Sequence, residues 1–275
     1  MNKLSKDKQA QVIAALVEGN SIRATVRMTG VAKNTIVGLL ADVGRACAEY
    51  QDKAFRNLPC KRIQCDEIWS FCYAKEKNVP EDEQGIFGYG DVWTFTAICA
   101  DSKLVPFWHI GRRNLVDATI FMKDLASRLA NRVQLTTDGH NMYLDAVENA
   151  FGVDVDFSQL VKIYGQTPEG QRRYSPPQCT GTIKTKINGN PDVRKVSTSY
   201  VERQNLTMRM NMRRFTRLTN AFSKKAVNLF YAVSLHFMYY NFCRIHQTLR
   251  VTPAMEAKVT DHVWDIKEVL GLMRA

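Results

Sequence analysis

The chain has 275 residues, of which 45% are hydrophobic, so it is long enough to bury one large core or two moderate ones. Its 38 Lys and Arg residues outnumber 27 Asp and Glu residues, and the formal net charge of +11 indicates nucleic acid or an anionic membrane surface as partner. The membrane alternative is weaker, because the amino terminus lacks a signal-peptide core and the uncharged run at 226–243 is interrupted by polar residues. We therefore expect a cytoplasmic protein with no membrane partner.

The first 50 residues predict three short helices. An amphipathic segment at 6–19 is followed by Ser21, which is typical of a helix N-cap, and Gly30 marks the turn into a third helix that runs towards Glu49. This layout is typical of a helix-turn-helix domain, although short three-helix units also occur as plain packing modules. In the DNA-binding interpretation the third helix presents three residues to the major groove: Lys33, Asn34 and Thr35.

A second domain is predicted at residues 60–275, after a polar linker at 51–59. Alternating and β-branched residues predict five strands, at 63–73, 91–99, 104–110, 133–137 and 153–157. Helical spacing follows the third strand and the fourth strand, and further helices close the chain. The pattern predicts the α/β class, with a mixed five-stranded sheet flanked by helices.

Residues 164–198 are rich in Gly, Pro, Lys and Arg, and they predict a long basic loop. A loop of this length is uncommon inside a domain unless it has a function, and contact with a phosphate backbone is the simplest one. Arg172 and Arg173 are the candidate DNA-binding residues of this loop. Simple disorder is the alternative interpretation.

Residues 197–217 predict a helix in which Ser199 and Glu202 have the spacing of a capping box. Glu202 is the only acidic residue between positions 193 and 255, where there are 11 Lys or Arg residues. One interpretation is a helix cap. The other is a carboxylate that holds a divalent cation against a phosphate, while the neighbouring cations bind nucleic acid.

Two further acids support the second interpretation of Glu202. Asp66 lies within the first predicted strand and Asp138 ends the fourth, which together with Glu202 is the arrangement of a ribonuclease-H-like core. Two magnesium ions at one phosphate need oxygen ligands from separate elements, and the seven cysteines contain no Cys-x-x-Cys pair that would indicate zinc. Taken singly, Asp66 could pair with a neighbouring Arg, and Asp138 could start an ordinary turn.

Three sequence blocks resemble the insertion-sequence-one-like (IS1-like) family of bacterial DDE transposases. They are residues 65–71 (Cys-Asp-Glu-Ile-Trp-Ser-Phe), 137–143 (Thr-Asp-Gly-His-Asn-Met-Tyr) and 200–205 (Tyr-Val-Glu-Arg-Gln-Asn). The resemblance covers about residues 60–245. It implies a ribonuclease-H-like core and an enzyme that cleaves transposon ends and joins them to target DNA, in a bacterial cytoplasm and at the nucleoid when DNA is bound.

The same resemblance implies roles for particular residues. Asp66, Asp138 and Glu202 would be the catalytic residues and the ligands of Mg²⁺, for which Mn²⁺ can substitute. Arg209, two helical turns after Glu202, would contact substrate phosphate from the helix face that also carries Asn205. Arg213 extends this DNA-binding set. Glu67 is expected to point to the other side of its strand and to be the poorer ligand. The implied partners are double-stranded DNA, at the ends and at the target, and further copies of the chain in a dimer or larger assembly.

The chain also departs from the family pattern. No cysteine zinc finger precedes the predicted helix-turn-helix, and His140 replaces the family's aromatic residue after Asp-Gly. Two alternatives stay open at this point: a domesticated DNA-binding protein without catalysis, and a ribonuclease-H-like nuclease that cuts DNA without joining it.

Overall fold

The computed structural model describes residues 4–165, 177–216 and 220–274. Within these residues a single mixed sheet contains six strands. They are β1 (Arg62–Cys72), β2 (Gly90–Cys99), β3 (Phe107–Gly111), β4 (Val133–Asp138), β5 (Val155–Tyr164) and β6 (Cys179–Asn188). Their order across the sheet is β3-β2-β1-β4-β5-β6. The predicted α/β class and mixed, helix-flanked sheet are confirmed, whereas the prediction of five strands is wrong.

The helices of the described residues cover both faces of this sheet. They are α1 (Lys6–Val17), α2 (Ile22–Thr29), α3 (Lys33–Ala54), α4 (Leu115–Arg128), α5 (Met142–Phe151), α6 (Ser199–Asn211), α7 (Ala226–Met238), α8 (Pro253–Glu256) and α9 (Ile266–Gly271). Short 3₁₀ turns and one π-helical turn, Tyr239–Cys243, complete the pattern. In this described part of the chain no helix is long and apolar enough to cross a membrane.

Strand direction determines where the ends of the strands meet. β1 is antiparallel to β2 and β2 is antiparallel to β3, whereas β1, β4 and β5 run parallel to one another. Alternate residues of β1 point to opposite faces: Ile63 belongs to the core shared with α4 and α5, and Ile68 to the core shared with α6 and α7. The carboxyl end of β4 therefore lies beside the middle of β1.

The sixth strand lies in the segment that the sequence predicts as a loop, residues 164–198. β5 continues to Tyr164, and β6 pairs with it in antiparallel register. Most of β6 is exposed because it is the edge strand, so its sequence lacks the alternation of apolar and polar residues that marks a half-buried strand. Lys184 and Lys186 on this strand are typical of an edge that resists pairing with another chain. Arg172 and Arg173 lie outside the described residues.

Several predicted helix boundaries also change. The helix predicted for 197–217 is α6, which ends at Asn211, where a 3₁₀ turn, Arg213–Phe215, begins. The predicted capping box is wrong: the N-cap is Thr198, whose hydroxyl donates to the Glu202 carboxylate at 2.6 Å. The Ser223 hydroxyl accepts a hydrogen bond from Arg214 and does not cap α7, whose N-cap is Lys225. By contrast, the predicted cap at Ser21 is present, and Thr252 caps α8 in the same way.

Helix α3 joins the amino-terminal helices to the main core. Its first turns pack through Ile36 against Val12 and Val31, and its later turns enter the core that also contains the sheet. The predicted linker at 51–59 begins with the last turn of α3 and continues through buried Phe55 and Leu58. The backbone of this segment is hydrogen-bonded to the end of α4, by Leu58 N–H to the Arg128 carbonyl. Whether the chain divides into domains at residues 50 and 60 stays a prediction.

Helix α3 approaches helix α7 closely at Gly44. A Cβ atom at this position would lie 2.6 Å from both the Cβ and the carbonyl oxygen of Tyr231, which is closer than such atoms pack. The contact is strengthened by the Ser234 hydroxyl of α7, which donates to the Gly44 carbonyl at 2.7 Å. Absence of a side chain at Gly44 is therefore what lets the two helices touch.

We predict opposite effects for two Gly→Ala substitutions in α3. Gly44→Ala should destabilise the protein by about 1–3 kcal/mol, because the added methyl group pushes α3 away from the α7 backbone. Gly38→Ala is the matched control, since nothing lies within 4 Å of its added Cβ. It should stabilise the protein by roughly 0.5–1 kcal/mol through helix propensity. Urea unfolding of both variants measures this, and equal effects would contradict the α3–α7 packing.

Candidate active site

Three predicted carboxylates converge on one cleft of about 490 Å³. Asp66 lies in the middle of β1, Asp138 is the last residue of the neighbouring parallel strand β4, and Glu202 lies in the first turn of α6. The loop after β4 and the end of β5 complete the wall. The residues that line the cleft are Asp66, Asp138, Gly139, His140, Leu160, Val161, Lys162, Tyr164, Thr198 and Glu202.

Both carboxylate oxygens of Asp66 accept hydrogen bonds. The backbone N–H of Glu67 donates to Oδ1 at 2.9 Å, and the amide of Asn205 on α6 donates to Oδ2 at 2.9 Å. Burial raises the pKa of Asp66 to about 7, and the neighbouring charges of Glu67, Asp138 and Glu202 add to the increase. Asp66 is thus held in place by Asn205 although its negative charge is costly without a cation.

Asp138 is oriented by the turn that follows it. Its Oδ1 accepts a hydrogen bond from the His140 backbone N–H at 3.1 Å, and Oδ2 lies 3.9 Å from the Arg113 guanidinium. Gly139 is needed between them, because a Cβ there would lie 2.4 Å from the Val161 side chain on β5. His140 also lines the cleft, and its Nδ1 accepts a hydrogen bond from the Met142 N–H at the start of α5.

Glu202 is held by two side chains that flank it. Thr198 donates to Oε1, and the ammonium group of Lys162 on β5 pairs with Oε2. Burial opposes the charge on Lys162, but the hydrogen bond and attraction to Glu202 outweigh it, so the pKa of Lys162 is raised. Lys162 was missed by sequence reasoning, which ended the fifth strand at Phe157. A basic residue on the strand next to the one that ends at Asp138 was the signal that could have identified it.

A fourth carboxylate, Glu67, lies close to two members of the triad. Oxygen atoms of Asp66, Glu67 and Asp138 all lie within 4.8 Å of one another. Hard oxygen donors at this separation fit a divalent cation such as Mg²⁺ or Mn²⁺. The raised pKa of Asp66 agrees with this fit, because a cation would offset the burial and the neighbouring negative charges that raise it.

The predicted DNA-binding residues lie on separate elements. Asn205 lies in the site itself, and Arg209 is partly buried on the same helix. Arg213 is exposed in the 3₁₀ turn after α6. Lys33, Asn34 and Thr35 are exposed in the first turn of α3. Asn205 contacts the triad carboxylate of Asp66, whereas Arg172 and Arg173 lie outside the described residues.

Fold and site together describe an α/β protein with a carboxylate-rich cleft beside the middle of β1 and the carboxyl end of the parallel strand β4. The chain matches no protein-family model and no curated protein sequence. Its function must therefore be inferred from the chemistry of the cleft.

We predict that Asp66→Asn changes the pH dependence of stability in the presence of a chelator. The folded-state pKa of Asp66 is raised above the ordinary value of 3.8, so the folded wild type holds an extra proton between about pH 4 and 7. Wild-type stability is therefore lost as pH rises through this window, by at most about 1.4 kcal/mol per pH unit. Asp66→Asn removes this loss of stability. The amide of the introduced Asn can donate a hydrogen bond to the Asn205 oxygen once the Asn205 amide has flipped.

Chemical unfolding at pH 4, 5.5, 7 and 8 measures the effect. Asp66→Asn should be more stable than wild type at pH 8, with a difference that shrinks towards pH 4. Asp154→Asn is the control, since the Asp154 side chain is 77% exposed. A stability difference between Asp66→Asn and wild type that stays constant with pH would contradict the crowding of charge around Asp66.

Proposed function

We propose that the protein is a DNA transposase of the DDE type, a polynucleotidyl transferase that cleaves transposon ends and joins them to target DNA. The observation that carries the proposal is the convergence of Asp66, Asp138 and Glu202 from three separate elements on one open cleft. Phosphoryl transfer between DNA strands needs carboxylates arranged around a phosphate in this way. The resemblance of the three sequence blocks to IS1-like transposases supports the same function.

A ribonuclease-H-like identity for the sheet is part of the proposal. Strands β1 to β3 form an antiparallel meander, and β4 and β5 extend the sheet in parallel from β1. This order, with acids on β1 and at the end of β4, is the one expected for such a core. In this interpretation β6 is an addition at the edge.

Asp66, Asp138 and Glu202 would hold the divalent cations, Mg²⁺ or Mn²⁺. Bound there, the cations supply activation of the attacking oxygen and stabilisation of the leaving oxygen. The chain itself positions these ligands: Asn205 fixes Asp66, the His140 N–H fixes Asp138, and Thr198 fixes Glu202. The ammonium group of Lys162 pairs with Glu202. With Glu202 serving as a cation ligand, this ammonium group would be available to bind a substrate phosphate instead.

The reaction consists of two displacements at phosphorus. Water first attacks the phosphodiester at the element end, and the bond to the terminal 3′ oxygen breaks to leave a 3′ hydroxyl. That hydroxyl then attacks a target phosphodiester, so that the new bond forms as a target 3′ oxygen leaves. The protein forms no covalent bond with DNA, and positioning and charge supply the catalysis. Pairing of two ends requires a dimer or a larger assembly.

Strand transfer on labelled end DNA tests the enzyme proposal. Wild type with Mg²⁺ should yield nicked ends and joined products, whereas Asp66→Asn, Asp138→Asn and Glu202→Gln should each lower the rate by at least about 10³-fold, since each removes a ligand of the reacting centre. Asp154→Asn, an exposed acid on the loop before β5, serves as the control and should retain activity.

Each result of this assay separates the proposal from its rivals. Nicking without any joined product would identify a nuclease instead. Absence of both products, with wild type and Glu202→Gln indistinguishable on DNA that the protein binds, would identify a DNA-binding protein without catalysis.

We also propose that helices α1–α3 form a helix-turn-helix that recognises the element end. Exposure of Lys33, Asn34 and Thr35 in the first turn of α3 supports this, because the first turn of a recognition helix contacts base edges. Gly30 has a φ of 70° at the turn before α3, a conformation that suits glycine.

Asn34→Ala together with Thr35→Ala should reduce the preference for the element end over a scrambled duplex by about tenfold or more, because each lost base contact costs roughly 1–3 kcal/mol. Competition binding at fixed salt measures the ratio. Lys33→Ala should instead weaken binding to both duplexes, as a lost phosphate contact does. An unchanged preference in the double variant would contradict recognition by this helix.

A further inference from the structure

Glu67 lies beside the catalytic centre but is fully engaged by other side chains. Its side chain is only 1% exposed. Oε1 accepts a hydrogen bond from Nε of Arg113 at 2.6 Å, and Oε2 accepts one from the Tyr143 hydroxyl at 2.7 Å. A carboxylate that binds a cation must offer an oxygen to it. Both oxygens of Glu67 are already in use, although one of them lies within 4.8 Å of ligand atoms of Asp66 and Asp138.

Tyr143 binds Glu67 from the face of the sheet that α5 covers. It is completely buried on α5, and burial together with the nearby Glu67 carboxylate raises the pKa of the phenol well above its ordinary value. The hydroxyl group is thus a permanent donor. A buried donor of this kind fixes its acceptor, and that acceptor is Glu67.

Arg113 connects Glu67 to the triad. Its guanidinium group packs over the Trp93 ring, 4.7 Å from the ring centroid, and one terminal nitrogen lies 3.9 Å from Oδ2 of Asp138. The Arg113 side chain is 36% exposed, so it sits at the rim of the centre with its Nε turned inward to Glu67. Stacking and the Glu67 hydrogen bond together leave the guanidinium little freedom to move.

Glu67 offsets the charge of Arg113 near Asp138. An Arg113 nitrogen lies 3.9 Å from Oδ2 of Asp138, and a Glu67 oxygen lies within 4.8 Å of an Asp138 oxygen. A lone Arg charge at this distance would attract the Asp138 carboxylate and would repel a cation bound there. Because Glu67 contacts the guanidinium, the positive potential around Arg113 is lower. The guanidinium nevertheless stays oriented towards Asp138 and can still donate hydrogen bonds. Arg113 therefore helps to orient the Asp138 carboxylate without adding an uncompensated positive charge that would oppose cation binding.

We infer that Glu67 is a positioning residue that acts through Arg113: it neutralises and aims the guanidinium that steadies Asp138, and it is not itself a ligand of the metal. The inference rests on the proposed function for the identity of the metal centre. The competing explanation makes Glu67 a third carboxylate ligand. Both explanations predict weaker metal binding when Glu67 loses its charge, but they differ in what a second substitution does.

Mn²⁺ binding to the protein without DNA, measured by calorimetry and by the electron paramagnetic resonance signal of free Mn²⁺, distinguishes the explanations. Glu67→Gln should weaken binding by about 10–100-fold, the usual effect of removing a group that supports a ligand. Addition of Arg113→Gln should restore the affinity to within about threefold of wild type, because the uncompensated cation is then gone as well. If Glu67 is a ligand, the double variant stays as weak as the single one.

Asp66→Asn is the matched control, because it removes a proposed ligand. Arg113→Gln should not rescue Asp66→Asn by the same factor, and equal rescue of both would overturn the inference. Thermal unfolding of every variant in a chelator shows whether it is folded. Should Glu67→Gln not fold, a crystal structure of the wild type with Mn²⁺ decides, from anomalous scattering. Glu67 should remain on Arg113 and Tyr143, and a Glu67 oxygen within about 2.3 Å of the metal would overturn the inference.

These measurements need no DNA and no joining activity. Failure of strand transfer with intact Mn²⁺ binding would refute the proposed function and leave the role of Glu67 standing. Loss of rescue in the double variant would refute the role of Glu67 and leave the proposed function standing.

Discussion

Repulsion between carboxylates is the constraint around which the site is built. Asp66, Glu67, Asp138 and Glu202 are gathered where water is partly excluded, and the raised pKa of Asp66 shows what burial and the neighbouring negative charges together cost. Each acid is consequently given a donor or a cation of its own. Asn205 bonds Asp66, Arg113 bonds Glu67, the His140 backbone bonds Asp138, and Lys162 bonds Glu202. The fold keeps these four partners in place, so the acids stay together without a metal.

Sheet topology is what supplies these partners. Parallel pairing of β1 with β4 brings two strands of distant sequence position side by side at the centre of the sheet, and α6 packs against β1 through Val201 and Met208, which belong to the same core as Ile68. The Gln64 side chain on β1 accepts from the first N–H groups of α6, at Tyr200 and Val201, so the helix start is tied to the strand that carries Asp66. Glu202 is the next residue after Val201, so its position is fixed by the same contact. Small displacements of α6 would separate Glu202 from the other acids.

Much of the sheet could be predicted from the sequence, because buried strands such as β1 and β2 alternate or are uniformly apolar. β6 could not be predicted, because an edge strand that is exposed on both faces does not need the alternating apolar residues that a buried face requires. Asp66, Asp138 and Glu202 were singled out by position and by the family resemblance, and they do line one cleft. The partners of these acids were harder to predict, because pairing of Glu67 with Arg113 and of Glu202 with Lys162 depends on tertiary contacts between residues about 40 or more positions apart. The Ser199–Glu202 spacing misled, because the helix starts one residue earlier and Thr198 replaces Ser199 as its cap.

Continuity of α3 has a geometrical consequence. The helix has 22 residues and is thus about 33 Å long, and its two ends belong to different packing clusters, one with α1 and the other with the sheet. A rigid rod of this kind transmits rotation as well as distance. Each residue inserted into it would turn Lys33, Asn34 and Thr35 by about 100° around the rod and move them about 1.5 Å along it. Under the proposed function, α3 would then fix the distance and the rotation between the recognised bases and the cleaved phosphate. The sequence of an element end could therefore vary more freely than the spacing between that sequence and the cleavage site.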